Sequence, residues 1–160
     1  ADLQTLANTG GPMADKARVM LGHVLLTEKN SAEAEKLFRE SLKTSIDVEV
    51  RSLAYNGLGE ILLEKGSASK KSDDIKEALF HYLRTVVQFP PMAGESTEAY
   101  ETALFKAGRC LMALGQLEKP GDLQNRYNMR ARELLGRVVN EFKSSKYADE
   151  AKKFRDSIGG

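Results

Sequence analysis

Apolar residues recur at helical spacing along nearly the whole chain. In the first strong segment, Ala17, Met20, Leu21, Val24 and Leu25 follow the i, i+3, i+4 pattern that places side chains on one face of an α-helix. Later segments keep the same period, and none shows the alternation of polar and apolar residues that is typical of a half-buried strand. The pattern predicts an all-α chain of amphipathic helices.

Turn residues divide these helices into three antiparallel pairs and a final helix. Asn30 ends the first helix of the first pair, and Gly66 is expected to end the first helix of the second pair. Pro90 closes the second pair, because proline disfavours helical geometry in the residue before it. We expect a single domain over residues 1–160, with units at about 15–46, 48–91 and 96–143 and a capping helix at about 145–158.

A glycine recurs at one phase of three of these helices. An apolar residue stands directly before this glycine, and a leucine follows three residues after it. The next helix then supplies a small residue followed by a bulky one. The three sets are Leu21, Gly22, Leu25, Ala34 and Phe38; Leu58, Gly59, Leu62, Ala78 and Tyr82; and Ala107, Gly108, Leu111, Ala131 and Leu135. Glycine costs about 1 kcal/mol relative to alanine inside a helix. We therefore expect close backbone approach of the partner helix at each glycine, with the bulky residue filling the remaining volume.

This pattern resembles the tetratricopeptide repeat (TPR), a unit of about 34 residues in two antiparallel helices. The resemblance covers roughly residues 15–158, with insertions only at turns. It implies a right-handed α-α superhelix, a TPR-like solenoid of about three hairpins plus a C-terminal capping helix. The segment 139–151 is also similar to bacterial envelope proteins of this family, the outer-membrane-assembly lipoproteins and the Tol–Pal-associated coordinator. That likeness favours a bacterial periplasm or envelope over the cytoplasm and leaves the compartment open.

In this family the first helix of each pair lines a concave groove, so the resemblance implies a non-catalytic scaffold that binds a protein or peptide segment. Carried over position by position, the groove residues are Lys16, Val19, His23 and Thr27 in the first unit; Asn56, Glu60, Leu63 and Glu64 in the second; and Thr102, Phe105, Arg109 and Met112 in the third. The alternative at each position is a solvated helix face. A second class of function also stays open: self-association as a homo-oligomer, or docking to other domains of the same chain.

Two groups of charged positions bear on the partner. Some family members bind chaperone carboxylates through a basic clamp, whose matching places here hold Val19, His23, Gly57, Thr102 and Lys106. Since only Lys106 could serve, that partner is not expected. A basic stripe of Arg126, Arg130, Arg132 and Arg137 could dock an acidic partner or phosphates. Its alternative is a solvated surface with i, i+4 pairs such as Glu133 with Arg137.

Composition excludes several classes of function. Lys and Arg number 24 against 23 Asp and Glu, so a net charge of +1 gives no overall attraction to nucleic acid. No apolar run approaches the roughly 18 residues that a membrane span needs. His23 and His81 fall on different helix pairs, and the single cysteine, Cys110, is interpreted as a packing residue in an apolar-rich helix. With no catalytic, metal-binding or cofactor motif, the chain is not expected to be an enzyme.

Overall fold

The computed structural model describes residues 2–158, and over that range the chain forms eight α-helices and no strand. The all-α prediction is therefore confirmed. None of these helices combines the length and apolar character needed to cross a membrane. The helices are α1 (Leu3–Ala7), α2 (Pro12–Thr27), α3 (Ser31–Thr44), α4 (Val48–Ser69), α5 (Ser72–Gln88), α6 (Glu98–Leu117), α7 (Asp122–Glu141) and α8 (Ala148–Ser157).

Helix boundaries follow local chemistry, with one correction to the sequence prediction. The Asp47 carboxylate accepts a hydrogen bond from the Val50 backbone N–H at 2.9 Å and so caps the start of α4. Gly66 does not end this helix, which continues to Ser69 and stops at Lys70 in a left-handed conformation with φ 54°. Gly66 is buried instead, and a Cβ built on it would lie 2.7 Å from Ile75 Cγ1.

The helices pack in a linear order. Helices α2 and α3, α4 and α5, and α6 and α7 form pairs, and α1 packs on α2. Each second helix also contacts the next element of the stack, α3 with α4, α5 with α6 and α7 with α8, and α4 touches both α2 and α6. We call α2, α4, α6 and α8 the first-helix row. Because α4 contacts both α2 and α6, residues of these helices that are distant in sequence lie close together.

The Phe38 ring occupies the space beside two glycines that belong to different pairs. A Cβ built on Gly22 of α2 would lie 2.6 Å from Phe38 Cε1, and one built on Gly57 of α4 would collide with the same ring. Phe38 is fully buried, so a Cβ at either glycine could fit only if the ring or its neighbours shifted. One side chain of α3 therefore joins the first pair to the second.

Tyr82 and Leu135 occupy the equivalent spaces in the later pairs. A Cβ on Gly59 would lie 2.7 Å from Tyr82 Cζ, and one on Gly108 would lie 2.8 Å from Leu135 Cγ. These contacts confirm that a bulky residue fills the volume beside each recurring glycine. The predicted close approach of the partner backbone is seen at Gly108, where a built Cβ would also lie 3.6 Å from the Ala131 carbonyl oxygen. At Gly22 and Gly59 the three atoms nearest to a built Cβ all belong to the bulky side chain.

We expect Gly57→Ala to lower the free energy of unfolding by about 1–3 kcal/mol, because the added methyl group overpacks the buried Phe38 ring. Gly136→Ala is the matched control, since a Cβ there would lie 3.9 Å from Arg155 Cδ, an ordinary contact. That change should stabilise the protein by up to about 1 kcal/mol through helix propensity. Urea unfolding of both variants measures the difference, and a Gly57→Ala variant as stable as the Gly136→Ala variant would contradict the packing.

Candidate functional site

The predicted groove residues lie on α2, α4 and α6, and their side chains differ widely in exposure. Val19, Asn56 and Phe105 are buried, with exposed fractions of 0%, 4% and 2%. The partly buried side chains are His23, Glu60, Leu63, Thr102, Arg109 and Met112, and the exposed ones are Lys16, Thr27 and Glu64. Many of these residues form contacts between neighbouring helices of the first-helix row.

His23 is the main polar contact between α2 and α4. Its Nε2 lies 3.0 Å from the Leu53 carbonyl oxygen, which can only accept, so Nε2 carries the proton. The imidazole ring also packs against Phe38, with ring centroids 4.9 Å apart. Burial lowers the pKa of His23 below its usual value of 6.5, which favours the neutral ring. Lys16 pairs with Glu49 at the exposed edge of the same interface, at 2.8 Å.

Asn56 and Glu60 join α4 to α6. Asn56 Nδ2 donates to the Ala99 carbonyl oxygen at 2.8 Å, and Lys106 Nζ lies 2.8 Å from Glu60 Oε2. The Tyr82 hydroxyl donates to the same carboxylate at 3.1 Å, and burial raises the pKa of Tyr82 well above 10. Lys106, the residue that matched the chaperone clamp, therefore has an internal partner.

The third set of predicted groove residues is covered by α8 and the residue that precedes it. The Phe105 ring stacks on Tyr147 with centroids 4.6 Å apart and an interplanar angle of 15°. Thr102 Oγ1 donates to the Tyr147 hydroxyl at 3.3 Å. The Arg109 guanidinium lies 4.1 Å from the centre of the Phe154 ring and 3.6 Å from Glu150. The last helix of the chain thus occupies the surface beside α6.

An open cleft remains where α4, α6 and α8 meet, which we call the first-row cleft. Its volume is about 470 Å³, and its lining residues are Leu63, Ser67, Lys70, Ile75, Arg109, Met112, Ala113, Gln116, Leu117 and Phe154. Leu63, Arg109 and Met112 belong to the predicted set. Sequence reasoning missed Lys70 and Leu117, because the predicted set stopped at Glu64 in α4 and at Met112 in α6. Lys70 lies just beyond the end of α4, and Leu117 is the last residue of α6.

Cys110 and His81 pack against neighbouring side chains of the protein. Cys110 is fully buried, and burial raises the pKa of its thiol to about 12, so the thiol stays protonated at neutral pH. Its prediction as a packing residue is confirmed. His81 stacks on Tyr55 at 5.9 Å, away from the Phe38 contact of His23. Over residues 2–158 no cluster of three or more His, Cys, Asp or Glu side chains could hold a metal ion.

Comparisons of this chain with protein-family models, with curated proteins and with solved structures find no match. Any inference about the role of the first-row cleft therefore has to be made from the residues that line it.

We expect His23 to make the protein less stable as the pH falls below about 6.5. Its pKa is lowered on folding, first by burial, against the raising effects of the Leu53 hydrogen bond and Glu60. The unfolded chain binds the proton more readily, so this stabilisation is fully present above the unfolded pKa and is lost as the pH falls through the folded pKa. Urea unfolding at pH values from about 7 to about 5 should give a flatter pH dependence for His23→Gln than for the wild type.

His81→Gln is the companion variant for this measurement. Burial also lowers the pKa of His81, so this change should flatten the pH dependence while His23 stays in place. A double variant should lose both contributions. If the slope of His23→Gln matches that of the wild type, the buried neutral imidazole is the wrong description of this residue.

Proposed function

We propose that this chain is a non-catalytic protein-interaction module that binds a segment of a partner protein at the first-row cleft. The order in which the helix pairs stack, with a glycine at one phase of each first helix, is what a TPR-like superhelix requires. In such a superhelix the first-helix row would form the concave side. The cleft would then lie on the side that repeat proteins of this kind use for binding.

The observation that carries the proposal is the combination of groups in the first-row cleft. Leu63, Met112 and Leu117 give it apolar surface, and Leu117 is 39% exposed. The exposed Lys70 ammonium lies at the rim, while the Arg109 guanidinium covers the Phe154 ring. A peptide with one apolar anchor and a neighbouring carboxylate fits this arrangement, because buried apolar anchors supply most of the energy of such contacts.

The predicted groove residues take two roles in this proposal. Val19, Asn56 and Phe105 hold the first-helix row together, since each is buried between helices. Leu63 and Met112 contact the partner. This division explains how one row of helix positions can serve both the stacking of pairs and the binding of a ligand.

Selection of random peptides on the wild-type protein should recover ligands that carry an apolar residue near an acidic one. Leu117→Asp should weaken their binding roughly tenfold or more, because it places a charge where the apolar anchor sits. Lys70→Glu should weaken it less. Val87→Asp is the matched control, because Val87 is a 75% exposed apolar residue on α5, outside the cleft. Fluorescence anisotropy gives each affinity, and selected peptides that bind all three variants equally would contradict the site.

A second function, self-association, is favoured by the outer face of α2. Met13, Met20 and Val24 are apolar and exposed by 66%, 46% and 41%. When α2 is aligned with α4 so that Gly22 matches Gly59, these three residues correspond to Val50, Gly57 and Ile61. Those positions of α4 face the preceding pair. In α4 the first two of these positions are buried and the third is partly buried. The outer face of α2 therefore has the character of an interface between pairs.

Light scattering in solution separates the two functions. We expect the 17.7 kDa mass of a monomer at about 100 µM protein, because an open cleft needs no second copy. Twice that mass would favour self-association, and Met20→Glu should then restore the monomer. A dimer that survives Met20→Glu would place the interface on another surface.

A further inference from the structure

A second cleft opens on α7 beside α8. Its volume is about 860 Å³, and we call it the arginine cleft. Its lining residues are Arg126, Met129, Arg130, Arg132, Glu133, Gly136, Arg137, Asn140, Glu141 and Arg155. Five guanidinium groups against two carboxylates leave an excess of positive charge on a chain whose overall charge is only +1.

Two of the five arginines have internal partners, and the other three have no ion-pair partner among residues 2–158. Arg137 donates to the Tyr100 hydroxyl at 2.8 Å and pairs with Glu141 at 3.1 Å, and the hydrogen bond to Glu141 raises the pKa of Arg137. Arg155 pairs with Asp156 at 2.9 Å. For Arg126, Arg130 and Arg132, no carboxylate of residues 2–158 lies within the 4.0 Å of an ion pair. These three exposed guanidinium groups are available to an external anion.

The cleft contrasts with the outer face of α3, the second helix of the first pair. There Lys36 lies 3.8 Å from Glu33, and Arg39 lies 2.7 Å from Glu35. The α3 face is thus an ordinary solvated helix surface on which neighbouring charges of opposite sign pair. Because the two faces occupy equivalent places in their pairs, the unpaired arginines of α7 are a local feature and not a general property of second helices.

The arrangement of the cleft indicates the size of its ligand. From Arg126 to Arg132 the helix rises by roughly 9 Å, the length of about three extended residues. Gly136 keeps the centre of this surface open, since a Cβ there would have only Arg155 Cδ nearby, at 3.9 Å. A single phosphate could reach one or two of the guanidinium groups, whereas an extended acidic chain could reach all three.

We propose that the arginine cleft binds an acidic segment of a partner protein, at a surface separate from the first-row cleft. Guanidinium groups recognise carboxylates through paired hydrogen bonds, so several side-chain carboxylates would each find a match. Glu133 and Glu141 lie among the arginines and would repel the uniform negative charge of a nucleic-acid backbone. A protein segment avoids this repulsion, because its acidic residues can alternate with neutral or basic ones. Met129, 69% exposed, adds an apolar contact.

The experiment titrates the whole protein into a fluorescein-labelled, glutamate-rich peptide of about ten residues, at about 50 mM salt. The wild type should bind, and the triple variant Arg126→Gln, Arg130→Gln, Arg132→Gln should bind roughly tenfold more weakly or worse. The matched control is Lys36→Gln, Arg39→Gln, Lys43→Gln, which removes the same charge from α3 and should change the affinity by less than about twofold. Raising the salt to about 300 mM should weaken wild-type binding and largely remove the difference.

Three further measurements complete the test. Thermal unfolding should show that both triple variants fold, since all six side chains are exposed. Leu117→Asp should bind the acidic peptide like the wild type, which separates this cleft from the proposed function. The proposal is overturned if the wild type does not bind the peptide, if both triple variants lose the same affinity, or if a single-stranded oligonucleotide or vesicles with anionic lipid bind the arginines more tightly than the peptide does.

Discussion

The structure depends on the insertion of one bulky side chain from each second helix beside a glycine of a first helix. Phe38 makes this dependence clearest, because its ring touches Gly22 in its own pair and Gly57 in the next. A methyl group at either glycine would occupy the volume of the ring. The contact thus fixes both the distance within a pair and the position of the following pair, so local packing propagates along the stack.

The contacts between neighbouring first helices have a second consequence. Side chains that a binding groove would offer to a ligand are partly committed to the protein itself, as the Asn56 hydrogen bond to Ala99 and the Glu60 pair with Lys106 show. The Asn56 bond satisfies an amide N–H that burial would otherwise penalise. In the proposed function, the surface left for a partner is therefore the first-row cleft, where Leu63, Met112 and Leu117 line the space between α4, α6 and α8.

The two clefts differ in chemistry as well as in position. The first-row cleft combines apolar side chains with a cationic rim, whereas the arginine cleft is mainly electrostatic and contains three guanidinium groups without a partner in the described part of the chain. Binding at the first would depend on a buried anchor and resist salt, and binding at the second would be salt-sensitive. Together the two proposals describe a module that holds two different segments at once.

The sequence by itself determined the all-α class, the order of the helices and the identity of the residues that fill the glycine positions, because helical period and residue size act within one helix or one pair. Tertiary structure alone decided which groove positions stay open. Phe105 sits on the predicted face of α6, yet Tyr147 and Phe154 cover it, and no pattern within α6 records where a later helix will lie. Gly66 shows the same limit, since its contact with Ile75 depends on how α5 folds back, whereas its type alone suggested a helix end.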